Sequence, residues 1–371
     1  MGKHVRTTVL LLYVMALVIA VDFLKTIVYD MSLWTLEPSA IDISTRSRQR
    51  GETAKNNTNY NSRTRKEIVN TDIGFLSTIG KAPPCKSFDS NRSTWPSCDA
   101  LFSVRNKNGP PQTMMVSVSF ERLGNAHGVG LLPGGLFRPV GCTPSQRVAI
   151  IVPFRDRVVH LKTLLNCLHP MLKSQTIEYM IFVVEQSPVS VFNRGMVKNI
   201  GFVEARRLCD FDCYIFHDVD LLPLDYRNTY TCSEMPRHHA ASIDRFNYTL
   251  PYRNIFGGVV SFRRDMFEKV NGYSNMYVGW GGEDDDLATR VQLNGMNIER
   301  YPMEISRYKN LRHAKDKPNK ERMQLLESSY KRMKTDGINS LIYTRHLMEF
   351  RQLYTWIYVS IDDKYYKHVL M

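Results

Sequence analysis

The amino-acid sequence predicts an α/β fold built on a doubly wound sheet. Two observations carry the prediction. Runs of apolar, β-branched residues alternate with segments of helical periodicity, and polar motifs follow the ends of those runs. The alternation implies parallel strands with helices between them, and ligands of such sheets bind beyond the carboxyl ends of the strands.

Five consecutive elements form this pattern, and each rests on local periodicity. The strands are continuous apolar runs, typical of a sheet buried on both faces, and the helices carry apolar residues three and four apart. In chain order we predict a strand over 147–153, a helix over 158–175, a strand over 179–185, a helix over 193–209 and a strand over 213–217.

The chain of 371 residues divides into four predicted regions. Residues 1–6 are a basic tail, 7–24 a signal-anchor helix, 25–97 a largely disordered stem rich in polar residues, and 98–371 the folded domain. The apolar run is short for a full span, and a signal peptide cleaved near Ala20 is the alternative. Either interpretation places the folded domain in an oxidising lumen.

The net charge of +13 indicates attraction to an anionic ligand such as a nucleotide diphosphate, although solvated surface accounts for part of it. No nucleic-acid-binding module is visible in the sequence, so nucleic acid is not an expected partner.

Seven cysteines and three glycosylation sequons fit a lumenal location. An odd number leaves at least one thiol without an intrachain partner. Cys213 and Cys232 flank an acidic motif, where a bridge would fix a short loop and a buried free thiol is the alternative. The sequons begin at Asn56, Asn91 and Asn247.

The acidic motif is Asp218-Val219-Asp220, directly after the third predicted strand. Side chains two apart in an extended segment face the same way, so both carboxylates point to one place, as a hard divalent cation requires. Two strand-end acids that cap a turn or pair with arginines fit the same residues. His313 is a candidate imidazole ligand, or a solvated histidine in a basic loop.

Arginines follow the first two predicted strands. Arg155 and Arg157 lie in the segment 153–157, and Arg194 closes the segment 192–194. The guanidinium group suits phosphate oxygens, which favours a nucleotide site at this edge. Solvated charge at a helix start is the alternative, and Asn193 also suits a helix cap.

A second acidic motif, 279–286, places four consecutive acids after Trp280 and two glycines. Glycines that admit a close ligand, an aromatic face and clustered carboxylates indicate a sugar site with a catalytic base. The run also suits the first turn of a helix, since the next five residues have helical character, and both interpretations are compatible.

Together these motifs resemble the β-1,4-galactosyltransferase family of Golgi type II membrane glycosyltransferases. Similar segments occur in the same order from about residue 98 to residue 362. They are 148–157, 192–194, 218–223, 256–258, 279–286, 312–313 and 336–341. The resemblance implies a nucleotide-diphospho-sugar-binding fold of the GT-A type with a mixed sheet, inversion at the sugar's anomeric carbon, and location in the Golgi membrane.

The family's roles fall on three groups of residues and two disulfides. The UDP-sugar donor would contact Pro153, Phe154, Arg155, Asp156, Arg157, Phe192, Asn193, Arg194, Asp218, Val219, Asp220, Ile255 and Trp280. Mn2+ would be held by Asp220 and His313, with Asn310 as a further candidate ligand. The N-acetylglucosamine acceptor would meet Gly282, Glu283, Asp284, Asp285 and Arg322, with Asp284 as the base that deprotonates its 4-hydroxyl. Cys98–Cys142 and Cys213–Cys232 match the family's bridges, which leaves Cys85, Cys167 and Cys209 unassigned.

Three departures from the family pattern affect specificity. Ile255 stands where many members have a tyrosine that crowds a 2-N-acetyl group, so we expect UDP-N-acetylgalactosamine as donor, with UDP-galactose as the alternative, as in the invertebrate-type N-acetylgalactosaminyltransferase branch. Asn310 replaces a common methionine and offers a harder ligand, which predicts that Mg2+ is tolerated. Val278 replaces a tryptophan of the mobile loop. A catalytically inactive lectin-like module and a xylose-directed galactosyltransferase are the rival interpretations.

Overall fold

A mixed eleven-stranded sheet forms the centre of the part of the chain described by this computed structural model, namely residues 77–85, 95–99, 117–314 and 317–362. The first elements are β1 (Ser77–Ile79), α1 (Phe120–His127), β2 (Leu131–Leu132), β3 (Leu136–Phe137), β4 (Arg147–Phe154), α2 (Val158–Ser174), β5 (Glu178–Gln186), α3 (Arg194–Leu208) and β6 (Cys213–His217). They are followed by β7 (Leu221–Pro223), β8 (Arg237–His238), β9 (Ser242–Ile243), β10 (Val259–Arg263), α4 (Arg264–Lys269), α5 (Glu283–Leu293), β11 (Glu299–Arg300), β12 (Arg307–Asn310), α6 (Arg322–Glu327), α7 (Ser329–Arg332), β13 (Thr344–Phe350) and β14 (Thr355–Ser360).

The strand order of the large sheet is β1-β13-β14-β5-β4-β6-β10-β8-β11, and the β2–β3 hairpin pairs with β5. The central strands β14, β5, β4 and β6 are parallel, whereas β10 runs antiparallel to β6 and β13 runs antiparallel to β14. The five predicted central elements are confirmed, with boundaries displaced by at most one residue.

Two helices cover opposite faces of this sheet. Successive side chains of a strand point to opposite sides, so a continuous apolar strand gives the sheet two apolar faces to bury. Ile150 packs in the core beneath α2, and the next residue, Ile151, packs in the core beneath α3. Both residues are fully buried. Each such side chain contributes about 1.5–3 kcal/mol through its burial. The sheet is therefore doubly wound, as the sequence predicts.

A separate three-stranded sheet, β7-β12-β9, lies beside the loop that follows β6. In the antiparallel pairing of β7 with β12, Leu221 stands opposite Asn310. The backbone N–H of Leu311 also donates to the carbonyl of Asp220 at 2.7 Å. This pairing brings the acidic loop next to the segment 310–313, which lies some ninety residues later in the sequence.

The folded part begins before the predicted boundary at residue 98. Ser77–Ile79 form β1, which pairs in parallel with β13 at the sheet edge. Cys85 is bridged to Cys209, directly after α3. A boundary drawn from composition was too late here because three residues of strand carry little periodicity, and the spacing of two cysteines does not reveal their pairing.

The predicted bridges Cys98–Cys142 and Cys213–Cys232 are both present, and Cys167 is a buried free thiol. No helix within the described ranges is long and apolar enough to cross a membrane. The predicted tail and anchor, with Asn56 and Asn91, lie outside the described residues. Asn247 is exposed at a turn.

Candidate active site

Three segments at the carboxyl ends of β4, β5 and β6 carry the predicted donor contacts at 153–157, 192–194 and 218–220, as expected for a doubly wound sheet. Pro153 and Phe154 are the last residues of β4 and are buried. Arg155 donates to the carbonyl of Ser190 at 2.8 Å, and its guanidinium carbon lies 5.0 Å from the centre of the Phe192 ring. The loops after β4 and β5 therefore contact one another directly.

Asn193 is the N-cap of α3, as the alternative interpretation of this residue predicts. Its side-chain oxygen accepts from the backbone N–H of Met196 at 2.9 Å, and its amide donates to the carbonyl of Asn275 at 2.6 Å. The cap satisfies one of the free N–H groups of the helix start. The residue after it, Arg194, is thereby fixed at the first turn of α3, facing the loop that follows β6.

Arg194 contacts three carboxylates. Its guanidinium donates to Asp218 at 2.5 Å and to Asp284 at 2.8 Å, and it also forms an ion pair with the buried Glu283. These contacts draw the two acidic motifs, 65 residues apart in sequence, into one cluster. The prediction that Arg194 contacts the donor stays a prediction, and the structure places its charge among carboxylates.

Asp220 and His313 lie side by side, with 3.0 Å between a carboxylate oxygen and the imidazole Nε2. The side-chain amide of Asn310 donates to the same carboxylate at 2.9 Å. Within the described ranges, no three His, Cys, Asp or Glu side chains cluster as a metal site. A carboxylate oxygen and an imidazole nitrogen at one point nevertheless suit a divalent cation with further ligands from substrate and water. Asn310 holds Asp220 in place, and its role as a ligand stays a prediction.

The acidic run 283–286 begins α5, so the interpretation as a helix start is confirmed. Gly282 precedes the helix with φ at +102°, and a Cβ there would lie 2.5 Å from the Tyr277 ring. Asp286 is fully buried and pairs with Arg290 of the same helix. The four acids thus divide: Asp286 stabilises the helix internally, while Glu283, Asp284 and Asp285 face the site.

Asp284 has a carboxyl group whose surroundings suit proton transfer. Burial raises its pKa to about 6, against the opposing effect of the cations Arg194 and Lys198. Its side chain is 19% exposed, while one of its carboxylate oxygens, Oδ1, is buried. A carboxylate with such a pKa is ionised at neutral pH and is still basic enough to accept a proton.

The segment before α5 is hydrogen-bonded through its backbone to the segment before α6. The backbone N–H of Trp280 donates to the carbonyl of Lys317 at 3.1 Å, and the N–H of Asn319 donates back to Trp280 at 2.9 Å. The Arg322 guanidinium carbon lies 5.5 Å from the centre of the Trp280 ring, which is half exposed. The indole and the Arg322 side chain thus lie next to the two glycines that precede the acidic run.

Ile255 is half-buried in the loop before β10, and its carbonyl accepts from Arg300 at 2.9 Å. Asp156 adopts the left-handed backbone region, with φ at +54°. The contacts of the described residues do not show what either side chain binds, and the predicted contacts of Ile255 and Asp156 with a donor stay predictions.

Two family profiles match consecutive parts of the chain. One, described as the N-terminal region of glycosyl transferase group 7, covers residues 103–233, and the other, the N-terminal domain of galactosyltransferase, covers residues 237–314. Together they span more than half of the sequence.

This chain belongs to the β-1,4-galactosyltransferase family.

Its relatives include β-1,4-galactosyltransferase 2 of Cricetulus griseus, 44% identical over 236 residues, which are 62% of this chain and 64% of that protein. β-1,4-Galactosyltransferase 3 of Homo sapiens is 46% identical over 233 residues, or 62% of this chain and 59% of that protein. The matches therefore span less than two thirds of these relatives.

A solved structure, the catalytic domain of Drosophila β-1,4-galactosyltransferase 7 in complex with xylobiose, superposes with a TM-score of 0.51 at 29% identity, covering 58% of this chain and 94% of that one. A second structure of that galactosyltransferase, a variant in complex with manganese, UDP-galactose and xylobiose, has a TM-score of 0.50 at 28% identity, covering 58% of this chain and 94% of that one. The likeness supports the predicted GT-A type of fold for this member of the β-1,4-galactosyltransferase family.

Two residues of this galactosyltransferase-family site were missed by the sequence analysis. Lys198 lies fully buried one helical turn after Arg194, and the spacing of four residues on one helix face was the available signal. The hydroxyl of Tyr252 donates to Asp285 at 2.5 Å, a contact between distant segments that no local pattern reveals.

Proposed function

We propose that this protein is a metal-dependent, inverting hexosyltransferase that moves galactose from UDP-galactose to the 4-hydroxyl of a terminal β-N-acetylglucosamine. The observation that carries the proposal is the joining of Asp284 to the loop of Asp218 and Asp220 through Arg194. A basic carboxylate and a candidate cation site thereby border one place, where a donor and an acceptor would meet.

Asp220 and His313 would hold the divalent cation, and their oxygen and nitrogen ligands fit Mn2+. A bound cation would neutralise the negative charge that develops on a departing diphosphate. The chain's own contribution is to fix both ligands: Asn310 donates to Asp220, and the β7–β12 pairing holds the two segments together.

Asp284 would accept the proton of the acceptor hydroxyl as that oxygen attacks the anomeric carbon of the donor. Because the attack comes from the face opposite the diphosphate, the anomeric configuration inverts, and the protein forms no covalent bond with the sugar. The raised pKa of Asp284, about 6, keeps it ionised at neutral pH. Protonation below that value would stop it from acting as a base.

The motif that contains Asp284 offers features that suit a sugar ring. The Trp280 indole is half exposed and presents an apolar face, and Asp285 accepts a hydrogen bond from the hydroxyl of Tyr252. Aromatic faces and paired polar groups bind the C–H and hydroxyl surfaces of sugars, respectively. These side chains support an N-acetylglucosamine acceptor, and the xylose-directed function stays the rival on the acceptor side.

The donor sugar has two candidates. The names of relatives that are 44–46% identical support galactose, and they support it better than the N-acetylgalactosamine that we expected from the sequence. Ile255 is the one observation that favours the second candidate, since its apolar side chain lacks the hydroxyl expected to crowd an acetyl group.

Turnover of UDP-galactose and UDP-N-acetylgalactosamine, measured side by side with an N-acetylglucosamine-terminated acceptor, tests the function and the donor together. We expect the wild type to transfer galactose, and Ile255→Tyr to lower any transfer of N-acetylgalactosamine relative to galactose. Ile255→Leu, which stays apolar, should keep the wild-type donor ratio. Hydrolysis of both donors without transfer to any acceptor would contradict the proposed function.

We place the protein in the Golgi membrane, with its catalytic domain in the lumen. Three disulfides among the described residues support an oxidising compartment. The predicted anchor over 7–24 and the exposed Asn247 sequon agree with this location. Enzymatic removal of N-glycans from the full-length protein, followed by a mass measurement, tests the placement.

A further inference from the structure

Lys198 is a fully buried cation beside the candidate base. Its Nζ lies 3.1 Å from Oδ1 of Asp218 and 3.8 Å from Oδ1 of Asp284. Arg194, one helical turn earlier, contacts the other oxygen, Oδ2, of the same two carboxylates. The four side chains therefore close a ring of alternating charge, Arg194–Asp218–Lys198–Asp284, which we call the charge ring.

Both cations of the charge ring come from the same face of α3, because residues four apart on a helix lie one above the other. The N-cap at Asn193 fixes the start of that helix. Lys198 is held further by the aromatic ring of Tyr273, whose centre lies 5.0 Å from Nζ. Its position is thus set by backbone and packing.

Burial of a charged lysine costs desolvation free energy unless the charge is paired with an opposite charge. Its neighbours Met196, Val197 and Ile200 on α3 are buried and apolar, so an uncharged side chain would be accommodated at lower desolvation cost. Without Lys198, Arg194 alone would face Asp218, Glu283 and Asp284, one cation against three carboxylates. The charge balance points to a function for the lysine.

The titratable groups that face Asp284 come from several elements. Arg194 and Lys198 favour its ionised form, while Asp218 and Glu283 oppose it. Among the described residues, Tyr252 and Tyr273 also face these carboxylates, and in each case burial and the nearby carboxylates raise the phenol pKa, so both stay neutral. Lys198 and Arg194 are the cations among these groups.

We propose that Lys198 is a positioning residue for the base: by closing the charge ring it holds Asp284 in its ionised form and fixes the direction of its carboxylate. This inference rests on the proposed function, in which Asp284 accepts a proton from the acceptor hydroxyl. It concerns a residue to which neither the sequence motifs nor the family resemblance assigns a role.

The test is the pH profile of kcat for Lys198→Met, a change that keeps the length of the side chain and removes its charge. Turnover of the wild type should fall as the pH drops through about 6, where Asp284 becomes protonated. In the variant the acid limb should move to higher pH by about one to three units, since an opposite charge this close lowers a carboxyl pKa by that amount. Lys269→Met, the same change on the exposed end of α4, should leave the profile unchanged.

Two further variants separate the effect of the Lys198 charge from an effect on folding. Lys198→Gln removes the charge while retaining a hydrogen-bond donor, and it should show the same displacement if Lys198→Met does not fold. Lys198→Arg should restore the wild-type limb. A profile that coincides with the wild type in either uncharged variant would overturn the inference. So would a charge requirement for folding itself, with only Lys198→Arg folding.

Asp284→Asn separates the two levels of the argument. Loss of turnover in this variant, together with an unmoved acid limb in Lys198→Met, refutes the role of Lys198 and leaves the base assignment intact. Wild-type turnover in Asp284→Asn refutes the base assignment, and with it the proposed mechanism.

Discussion

The proposed chemistry depends on single residues, above all on Asp284. Its position was predictable from the motif 279–286, because glycines, an indole and consecutive acids have few joint explanations. Its partners were not predictable, since Arg194 and Lys198 lie on another helix and only the fold brings them near. The division of labour in the acidic run, with Asp286 buried against Arg290, was equally hidden.

A substitution at Gly257 tests whether activity depends on the exact position of the Asp284 carboxylate. A Cβ at residue 257 would lie 2.4 Å from Oδ2 of Asp284 and 2.9 Å from its Cγ. Gly257→Ala should therefore displace the carboxylate and lower kcat by about a hundredfold, the effect of a misplacement near 1 Å. Steady-state kinetics and circular dichroism on the same sample measure turnover and folding.

The control for this change is Gly295→Ala. Residue 295 has φ at +72° with no atom within 4 Å of the added Cβ, so alanine there introduces only backbone strain and does not touch the site. A folded Gly257→Ala variant with the kcat of the wild type would show that the close approach to Asp284 is unimportant.

At the scale of elements, the small sheet β7-β12-β9 places the candidate metal ligands. The strands β4, β5 and β6 were predictable because each is a continuous apolar run. The pairing of β7 with β12 was not, since strands of three and four residues carry almost no periodicity and their register depends on distant contacts. The sequence motifs predicted Asp220 and His313 as ligands, and the pairing of β7 with β12 brings their two segments together.

Removal of either ligand should weaken cation binding. Asp220→Asn and His313→Ala are each expected to lower the affinity for Mn2+ by roughly tenfold or more, since loss of an outer partner alone costs about that much. Titration calorimetry with Mn2+ in the presence of UDP measures the change without relying on turnover. Chelation by EDTA should abolish transfer by the wild type, and Mg2+ should restore part of it.

His346→Ala, on the exposed face of β13, is the matched control and should bind Mn2+ like the wild type. Unchanged affinity in both ligand variants would place the cation elsewhere.

For the whole molecule, the sequence predicts the doubly wound core, and the family resemblance implied two of the three disulfides. The doubly wound core was predictable because the local sequence shows both the continuous apolar run of β4, which is buried on both faces, and the apolar faces of α2 and α3. The third bridge, Cys85–Cys209, joins residues 124 positions apart, and no local rule predicts such a pairing. The same holds for β1, which completes the sheet from a segment whose composition resembled a stem.

The whole fold brings together a candidate donor loop, a candidate cation site and a basic carboxylate at one edge of the sheet. The proposed geometry therefore determines the structure of the product as well as the rate of its formation. A single displacement from an α-linked UDP donor must give a β-linked sugar, and a base beside the 4-hydroxyl must give a 1→4 bond.

The most direct test of this central claim is the proton NMR spectrum of the product formed when the wild-type protein is incubated with UDP-galactose and N-acetylglucosamine. We expect a β-configured anomeric proton and a bond to carbon 4 of the acceptor. An α-linked product, or a bond to another hydroxyl, would contradict it.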